Sequence, residues 1–165
     1  MPQEFNHQEA IKIAAQSEKE LMCFYRRAAE KTSQLAGKKV FEQLAEDEKE
    51  HVHHFFRAYR GSDIGSIDDF LNAPCQWSEA MIKEIDGLVG AQVKDRRAME
   101  IAMQKEQQLE QRLRNTASRI VDPGARIIFD QMAKETRHHY EIIESEYARL
   151  MGMVHESDMD TFVRE

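Results

Sequence analysis

The sequence predicts an all-α fold, a bundle of four long helices arranged as two antiparallel hairpins joined by a long crossover. Three observations carry this expectation. The 165 residues contain only 3 Pro and 7 Gly, with 32% charged and 41% hydrophobic residues, which suits long helices better than a β sandwich. Apolar residues recur at three- and four-residue spacing along four long stretches. Short links join the first stretch to the second and the third to the fourth, so each pair forms antiparallel neighbours, while one long link permits a crossover.

The whole chain, residues 1–165, is read as one domain. The first helix covers about residues 6–36 and begins at Asn6, whose side chain caps the next turn, with Glu9 completing a capping box. Its inward seam is Ile11, Ala14, Glu18, Leu21, Tyr25, Ala28, Thr32 and Leu35, and Gly37 marks its break. The second helix, about 38–60, has the seam Phe41, Leu44, Glu48, His51, Phe55 and Tyr59 and ends at Gly61. Residues 61–92, with "GSDIGSIDDF" and "NAPCQW", read as turns and short helical pieces of the crossover, which Trp77 anchors to the bundle. The third helix, about 93–120, has the seam Met99, Ala102, Glu106, Leu109, Leu113 and Thr116. Asp122 as N-cap and Pro123 at the first helical position open the fourth, 123–151, which stops at Gly152. The tail, 152–165, shows no long pattern of its own.

An internal repeat supports two related hairpins. A shift of 88 positions carries Ala10, Ile13, Ala14, Gln16, Glu18, Leu21, Arg26 and Ala29 onto identical residues at 98, 101, 102, 104, 106, 109, 114 and 117. Without a gap, the same shift carries Phe41, Gln43, Ala45, His51 and Tyr59 onto Phe129, Gln131, Ala133, His139 and Tyr147. One offset held across two helices and their link implies a pseudo-twofold axis between the halves.

Charge and composition exclude several functions. The net charge of −7, without a basic stripe of interleaved aromatics, argues against nucleic acid as a partner. No apolar run reaches the length of a membrane span, and "MPQEFNHQEA" lacks the apolar centre of a signal peptide. Cys23 and Cys75 form no C-x-x-C pair and suit a reducing compartment, so a cytoplasmic location is expected, with Cys23 buried and inert.

The chemistry lies in polar residues set into apolar seams. Glu18, Glu48 and Glu106 each occupy the middle of a seam on a different helix. Burying three ionised carboxylates costs several kcal/mol per ion unless a cation compensates. Lysines and arginines lie mostly off these seams, so a divalent metal fits better; oxygen and imidazole donors suit iron, manganese or zinc. Glu48 and His51 project from one helical face. One Glu from each of two helices plus Glu-x-x-His from each of the other two is the di-metal carboxylate pattern. On the fourth helix, "AKETRHHY" offers two registers. The literal Glu-x-x-His is Glu135 and His138, whereas the repeat and the seam select Thr136 and His139. A π-bulge would turn Glu135 inward. His139 is therefore the expected ligand, Glu135 its less secure partner and His138 the fallback; if Thr136 replaces the bridging acid, the site holds one ion or a second weakly. The bland readings place His53 and His54 in solvent or against the crossover. They place Glu20, Glu46, Glu50 and Glu110 on solvated faces, and Met22, Met99 and Met132 in the core.

The stretches "EKELMCFYRRAAE", "FEQLAEDEKEH", "AMEIAMQKEQQLE" and "FDQMAKETRHHY" resemble the rubrerythrin family of ferritin-like di-iron carboxylate proteins. The resemblance implies a ferritin-like four-helix bundle holding two irons, with Glu18, Glu48, His51, Glu106 and His139 at the positions of family ligands. It implies reduction of hydrogen peroxide or oxygen with ferrous oxidation, and a homo-oligomer, a dimer in many such chains. Tyr25, seven residues after Glu18, is a candidate catalytic group that would hydrogen-bond a ligand or bound oxygen, or a packed aromatic. The sequence departs from the family's type members in lacking paired C-x-x-C motifs of a rubredoxin-like module, and in having Leu109 where a further carboxylate follows the third-helix ligand. These departures move the likeness to the rubredoxin-free branch and imply a separate electron-donor protein. The rival readings are an iron-handling ferroxidase or storage protein, and a non-enzymatic bundle stabilised by a metal such as zinc.

Overall fold

The computed structural model describes the backbone of residues 5–163 and the side chains of residues 5–152. Helices α1 (His7–Lys31) and α2 (Leu35–Ala58) form the first hairpin, and α5 (Ala91–Arg119) and α6 (Pro123–Val163) the second. The crossover carries two short helices, α3 (Ile67–Asn72) and α4 (Trp77–Asp86). Packing is most extensive within each hairpin; α2 against α6 and α1 against α5 join the hairpins, and α4 lies along α1. The fold is the all-α bundle expected from the periodicity.

The seams bury as their spacing requires. Ile11, Ala14, Leu21, Tyr25 and Ala28 of α1 face Phe41, Leu44 and Phe55 of α2 and Met99, Ala102, Leu109 and Leu113 of α5 within one core. Phe55 meets Phe129 of α6 edge to face, ring centroids 5.2 Å apart, so the hairpins interlock through aromatics at this level. Met22, Met99 and Met132 are fully buried. Local signals fix two helix starts: Asn6 Oδ1 accepts from Glu9 N at 3.2 Å, and Asp122 Oδ2 accepts from Ala125 N at 2.9 Å ahead of Pro123.

Elsewhere tertiary contacts override local signals. The first break falls at residues 32–34, not at Gly37. Asp95 of α5, 2% exposed, accepts hydrogen bonds from Ser33 N at 3.0 Å, Gln34 N at 3.3 Å and the Ser33 hydroxyl. These groups would otherwise need partners of their own, so the second hairpin supplies the turn of the first. Leu35, expected in the seam, is 65% exposed. Gly37 sits inside α2 at a close approach, where an added Cβ would lie 3.2 Å from Thr32 Cγ2 and 3.3 Å from Met99 Cε. At the other end α6 continues through Gly152 to Val163 rather than stopping. Gly152 has no left-handed backbone, and a glycine inside a helix costs only about 1 kcal/mol.

The crossover is tied down more firmly than expected. Cys23 and Cys75, read as separate thiols, form a disulfide with Cα atoms 6.6 Å apart, bridging 52 positions that only the return of the crossover brings together. Glu20, expected on a solvated face, is almost buried; its carboxylate accepts from Gln76 N at 2.7 Å and Ser78 N at 3.3 Å, capping α4 from α1. Arg27 pairs with Glu79 at 3.0 Å and Lys31 with Asp86 at 2.9 Å. Trp77 packs partly buried against the core, under the Lys105 ammonium. Among the described residues no helix is long and apolar enough to cross a membrane.

Candidate metal centre

The long helices carry their polar seam residues to one level of the bundle. Glu18, Glu48 and Glu106 are completely buried, and His51 and His139 are 4% and 3% exposed. Glu48 lies between the two imidazoles. Its Oε1 is 2.9 Å from His139 Nδ1, and its Oε2 is 3.5 Å from His51 Nδ1. His51 Nδ1 is also 3.4 Å from Glu18 Oε2, and His139 Nδ1 is 3.6 Å from Glu106 Oε1. The arrangement is two half-sites sharing one carboxylate: Glu18 and His51 on one side of Glu48, Glu106 and His139 on the other. The rings of His51 and His139, partners under the repeat, stack with centroids 5.1 Å apart and planes 15° apart.

The fourth-helix register is settled by burial. Thr136 is fully buried, its hydroxyl donating to Met132 O at 2.7 Å, and His139 follows on the same face. The hydroxyl bonds one turn back within an ordinary α-helix, and no π-bulge turns the helix. The Glu135 side chain is consequently 43% exposed and reaches His51 from outside, Oε2 to Nε2 at 2.8 Å, instead of joining the interior cluster. His138 is exposed. Tyr25, fully buried, donates a 2.5 Å hydrogen bond to Glu106 Oε1. Glu110, expected on a solvated face, is half-buried and pairs with Arg114 at 2.8 Å. Asp47, which the seam argument passed over, is 3.3 Å from His139 Nε2. Its mate under the repeat is Glu135, and that correspondence was the available signal. A recess of about 250 Å³ between α2 and α6 is walled by Asp47, Glu50, His54, Glu135 and His138, and reaches His51 and His139.

Unsatisfied atoms define what the cluster lacks. Both oxygens of Glu18, Oε2 of Glu48, Oε2 of Glu106 and Nδ1 of His51 are buried without a hydrogen-bond partner. Buried polar groups are nearly always paired, and each unpaired one costs on the order of 1–3 kcal/mol, more when charged. Glu48, His51 and His139 offer ligand atoms that all lie within 4.8 Å of one another. Carboxylate oxygens with imidazole nitrogens form a donor set suited to iron, manganese or zinc. The residues present fit a metal ion.

Protonation points the same way. Burial, reinforced by the neighbouring Glu48 carboxylate, pushes Glu18 up to about 8. Burial and Glu106 also press Glu48 upward, but the close approach of Glu18, His139 and His51 outweighs them and holds it below its ordinary value. Burial opposes charge on the imidazoles, yet Glu18 and then Glu48 raise His51 to about 12, and Glu106 with Glu48 raises His139 to about 11. Without metal, protons shared among Glu18 and the two histidines offset the charge of the crowded carboxylates. A divalent ion would take their place.

Comparison with curated proteins and with solved structures found no match. Residues 9–147 match the rubrerythrin family, a span running from the first turn of α1 through the α6 histidine and beyond. The conjunction of this match with buried carboxylates and histidines shared between two helical hairpins places the chain in the rubrerythrin family of ferritin-like proteins.

Proposed function

We propose that this protein binds a pair of iron ions and couples their oxidation to the reduction of hydrogen peroxide or oxygen. The observation that carries the reading is the set of unpartnered buried donors on Glu18, Glu48, Glu106 and His51, disposed about one shared carboxylate. Glu18, His51 and Glu48 Oε2 would hold one ion; Glu106, His139 and Glu48 Oε1 would hold the other. When bound, a ferrous pair supplies two electrons, enough to reduce one hydrogen peroxide to two waters.

The chain's own residues do the rest. Complete burial of the three carboxylates keeps bulk water from their oxygens and strengthens their interactions. Tyr25 holds Glu106 Oε1 and keeps a proton at the edge of one half-site. The Tyr25 ring stacks on Phe41 at 5.9 Å, which fixes that hydroxyl in place. The recess between α2 and α6 gives a small oxidant a route toward the histidine edges. Electrons to restore the ferrous state would come from a donor outside these helices, which carry no paired C-x-x-C motif.

Anaerobic titration with ferrous ion, followed by hydrogen peroxide, tests the reading. The expected result is two ions per chain and one peroxide consumed per two ferrous ions oxidised. Ferrous ion that binds but survives peroxide would overturn the redox function.

A second reading, a single structural ion such as zinc, is favoured by one observation. The acid that would mirror Glu48 is Thr136, and the tightest ligand group is Glu48, His51 and His139 alone. Saturation at one ion per chain, optically silent towards peroxide, would select it.

A further inference from the structure

We propose that Cys23 and Cys75 form a redox-active pair through which an external dithiol delivers electrons to the buried cluster. The inference rests on the ferrous-pair reading above and names the chemical class of its electron donor. That reading requires two electrons for each peroxide, and two thiols that close one disulfide release two. Cys23 and Cys75 are the only cysteines among the 165 residues.

The pair stands between solvent and the cluster. Cys23 lies on the face of α1 turned to the crossover, together with Glu20 and Arg27, which also reach crossover residues. The inward face of the same turns carries Glu18 and Tyr25, both fully buried. Two peptide units join Cys23 to Tyr25, and the Tyr25 hydroxyl donates to Glu106 Oε1 of one half-site. From the sulfurs to the carboxylates is thus a span of one helix, about 10–12 Å across, short enough for an electron to cross without an intervening cofactor. On the outer side Cys75 is half-buried in the link between α3 and α4, and its neighbours Ala73, Pro74 and Gln76 are exposed.

A structural staple is the plain alternative, and the other contacts of the crossover speak against that as its sole role. Gln76 N and Ser78 N donate to Glu20, Arg27 pairs with Glu79, and Lys31 pairs with Asp86. These contacts lie beside or beyond Cys75 and do not require the sulfurs to be joined. Both thiols therefore stay adjacent after reduction, and the bond re-forms as an intramolecular step. In the first half of the cycle the donor's thiolate attacks the accessible Cys75 sulfur and displaces the Cys23 thiolate. The donor's second thiol then attacks the mixed disulfide, frees Cys75 and departs as a disulfide. In the second half the Cys23 and Cys75 thiols re-form their S–S bond. They release two protons to solvent and give two electrons, one for each ferric ion.

Counting free thiols by alkylation and mass spectrometry gives a readout separate from turnover. The full chain is reduced with dithiothreitol, freed of reductant without air, loaded with ferrous ion and given one hydrogen peroxide per chain. The expected result is loss of both thiols with the iron back in the ferrous form; a second peroxide then leaves it ferric. The metal-free parent should keep both thiols under the same treatment. Cys75→Ser should still take up iron and consume the first peroxide, but its iron should stay ferric from then on. A parent alkylated before loading should behave as Cys75→Ser does, which keeps the test in force should that variant not fold. Thiols that persist beside ferric iron would overturn the relay and leave the ferrous-pair reading intact. So would equal thiol loss with and without iron, since peroxide would then act on the sulfurs directly. A disulfide that resists dithiothreitol in the folded chain would reduce the pair to a staple. Iron that stays ferrous after peroxide in the parent, with both thiols still free, and in Cys75→Ser would sink the redox reading itself, and the relay with it.

Discussion

Tyr25 on α1 and Glu106 on α5 meet through a 2.5 Å hydrogen bond between the phenol and Oε1, which joins the two hairpins at the buried carboxylate–histidine cluster. Burial, with the Glu106 carboxylate beside it, holds the Tyr25 phenol protonated far above its ordinary range. A charged acceptor makes this one of the stronger kinds of hydrogen bond, about 1.5–3 kcal/mol. Tyr25→Phe keeps the ring and removes the donor. In the metal-free protein this should lower the melting midpoint by about 3–12 °C, as expected for that energy in a chain of this length. With metal bound, Glu106 has another partner, and the loss should shrink. Equal losses in both forms, measured by thermal denaturation, would show that the hydroxyl's contribution does not depend on a metal at Glu106, and no loss in either form would assign Tyr25 to packing alone.

The cluster predicts opposite pH trends for the empty and loaded protein. Glu18 is raised from its usual 4.5 to about 8, so between these values the folded state holds a proton that the unfolded state has released. The histidines behave alike above their usual 6.5, up to about 11 for His139 and 12 for His51. Stability from all three is fully present below the unfolded values and drains away as pH rises. Glu48, held low, acts oppositely; its contribution is present above 4.5 and is lost as pH falls below that value. The metal-free midpoint should therefore decline from pH 5 to pH 8. Zinc must displace those protons, so its affinity should climb over the same interval. Melting curves with and without zinc should diverge as pH increases. A constant separation would mean that the cluster does not exchange protons for metal.

Neutralising individual acids should separate stability from metal binding. Glu18→Gln resembles the protonated acid, so at pH 9 it should raise the metal-free midpoint, while at pH 4 it should change little. The same substitution should remove one of two bound ions, because Glu18 belongs to one half-site. Glu48→Gln should deplete both ions, since its two oxygens face different histidines. Metal analysis of the two variants, side by side, checks this. Equal metal loss from both would contradict a shared, central Glu48.

The Cys23–Cys75 disulfide closes a long loop and fastens the crossover to α1. Such a crosslink stabilises by about 2–4 kcal/mol, chiefly by restricting the unfolded chain. Reduction, or Cys75→Ser, should lower the midpoint by roughly 4–16 °C. Metal stoichiometry should not change, because neither cysteine is a proposed ligand. A midpoint indifferent to reductant would show that the crossover is held by Glu20 and the ion pairs alone.

Much of the fold was legible because helical periodicity is a local property. Glu18, Glu48, His51, Glu106 and His139 could be named from spacing, and the structure buries all five and brings them into one cluster. The repeat, read along with the seam, selected Thr136 and His139 over Glu135 and His138. Local capping chemistry likewise located the starts of α1 and α6 at Asn6 and Asp122.

Three of the failures share one cause, a partner far away in the chain. Gly37 was read as a helix break, but Asp95 on α5 sets the turn several residues earlier. Glu20 was read as solvated, but a helix in the crossover presents its unpaired amides to that carboxylate. Cys23 was read as inert, but Cys75 returns beside it.

By itself, then, the sequence determined the central inward-facing residues of each long helix, though not Leu35 or Glu20, because side-chain direction follows from a 3.6-residue period and needs only neighbours along the helix. Only the tertiary structure decided which of those residues meet: that Glu48 stands between His51 and His139, that Tyr25 holds Glu106, and that Asp47 and Glu135 exchange histidines across the hairpins. Those pairings depend on the relative rotation and height of packed helices. These are fixed by the whole core at once, and no short stretch of sequence encodes them.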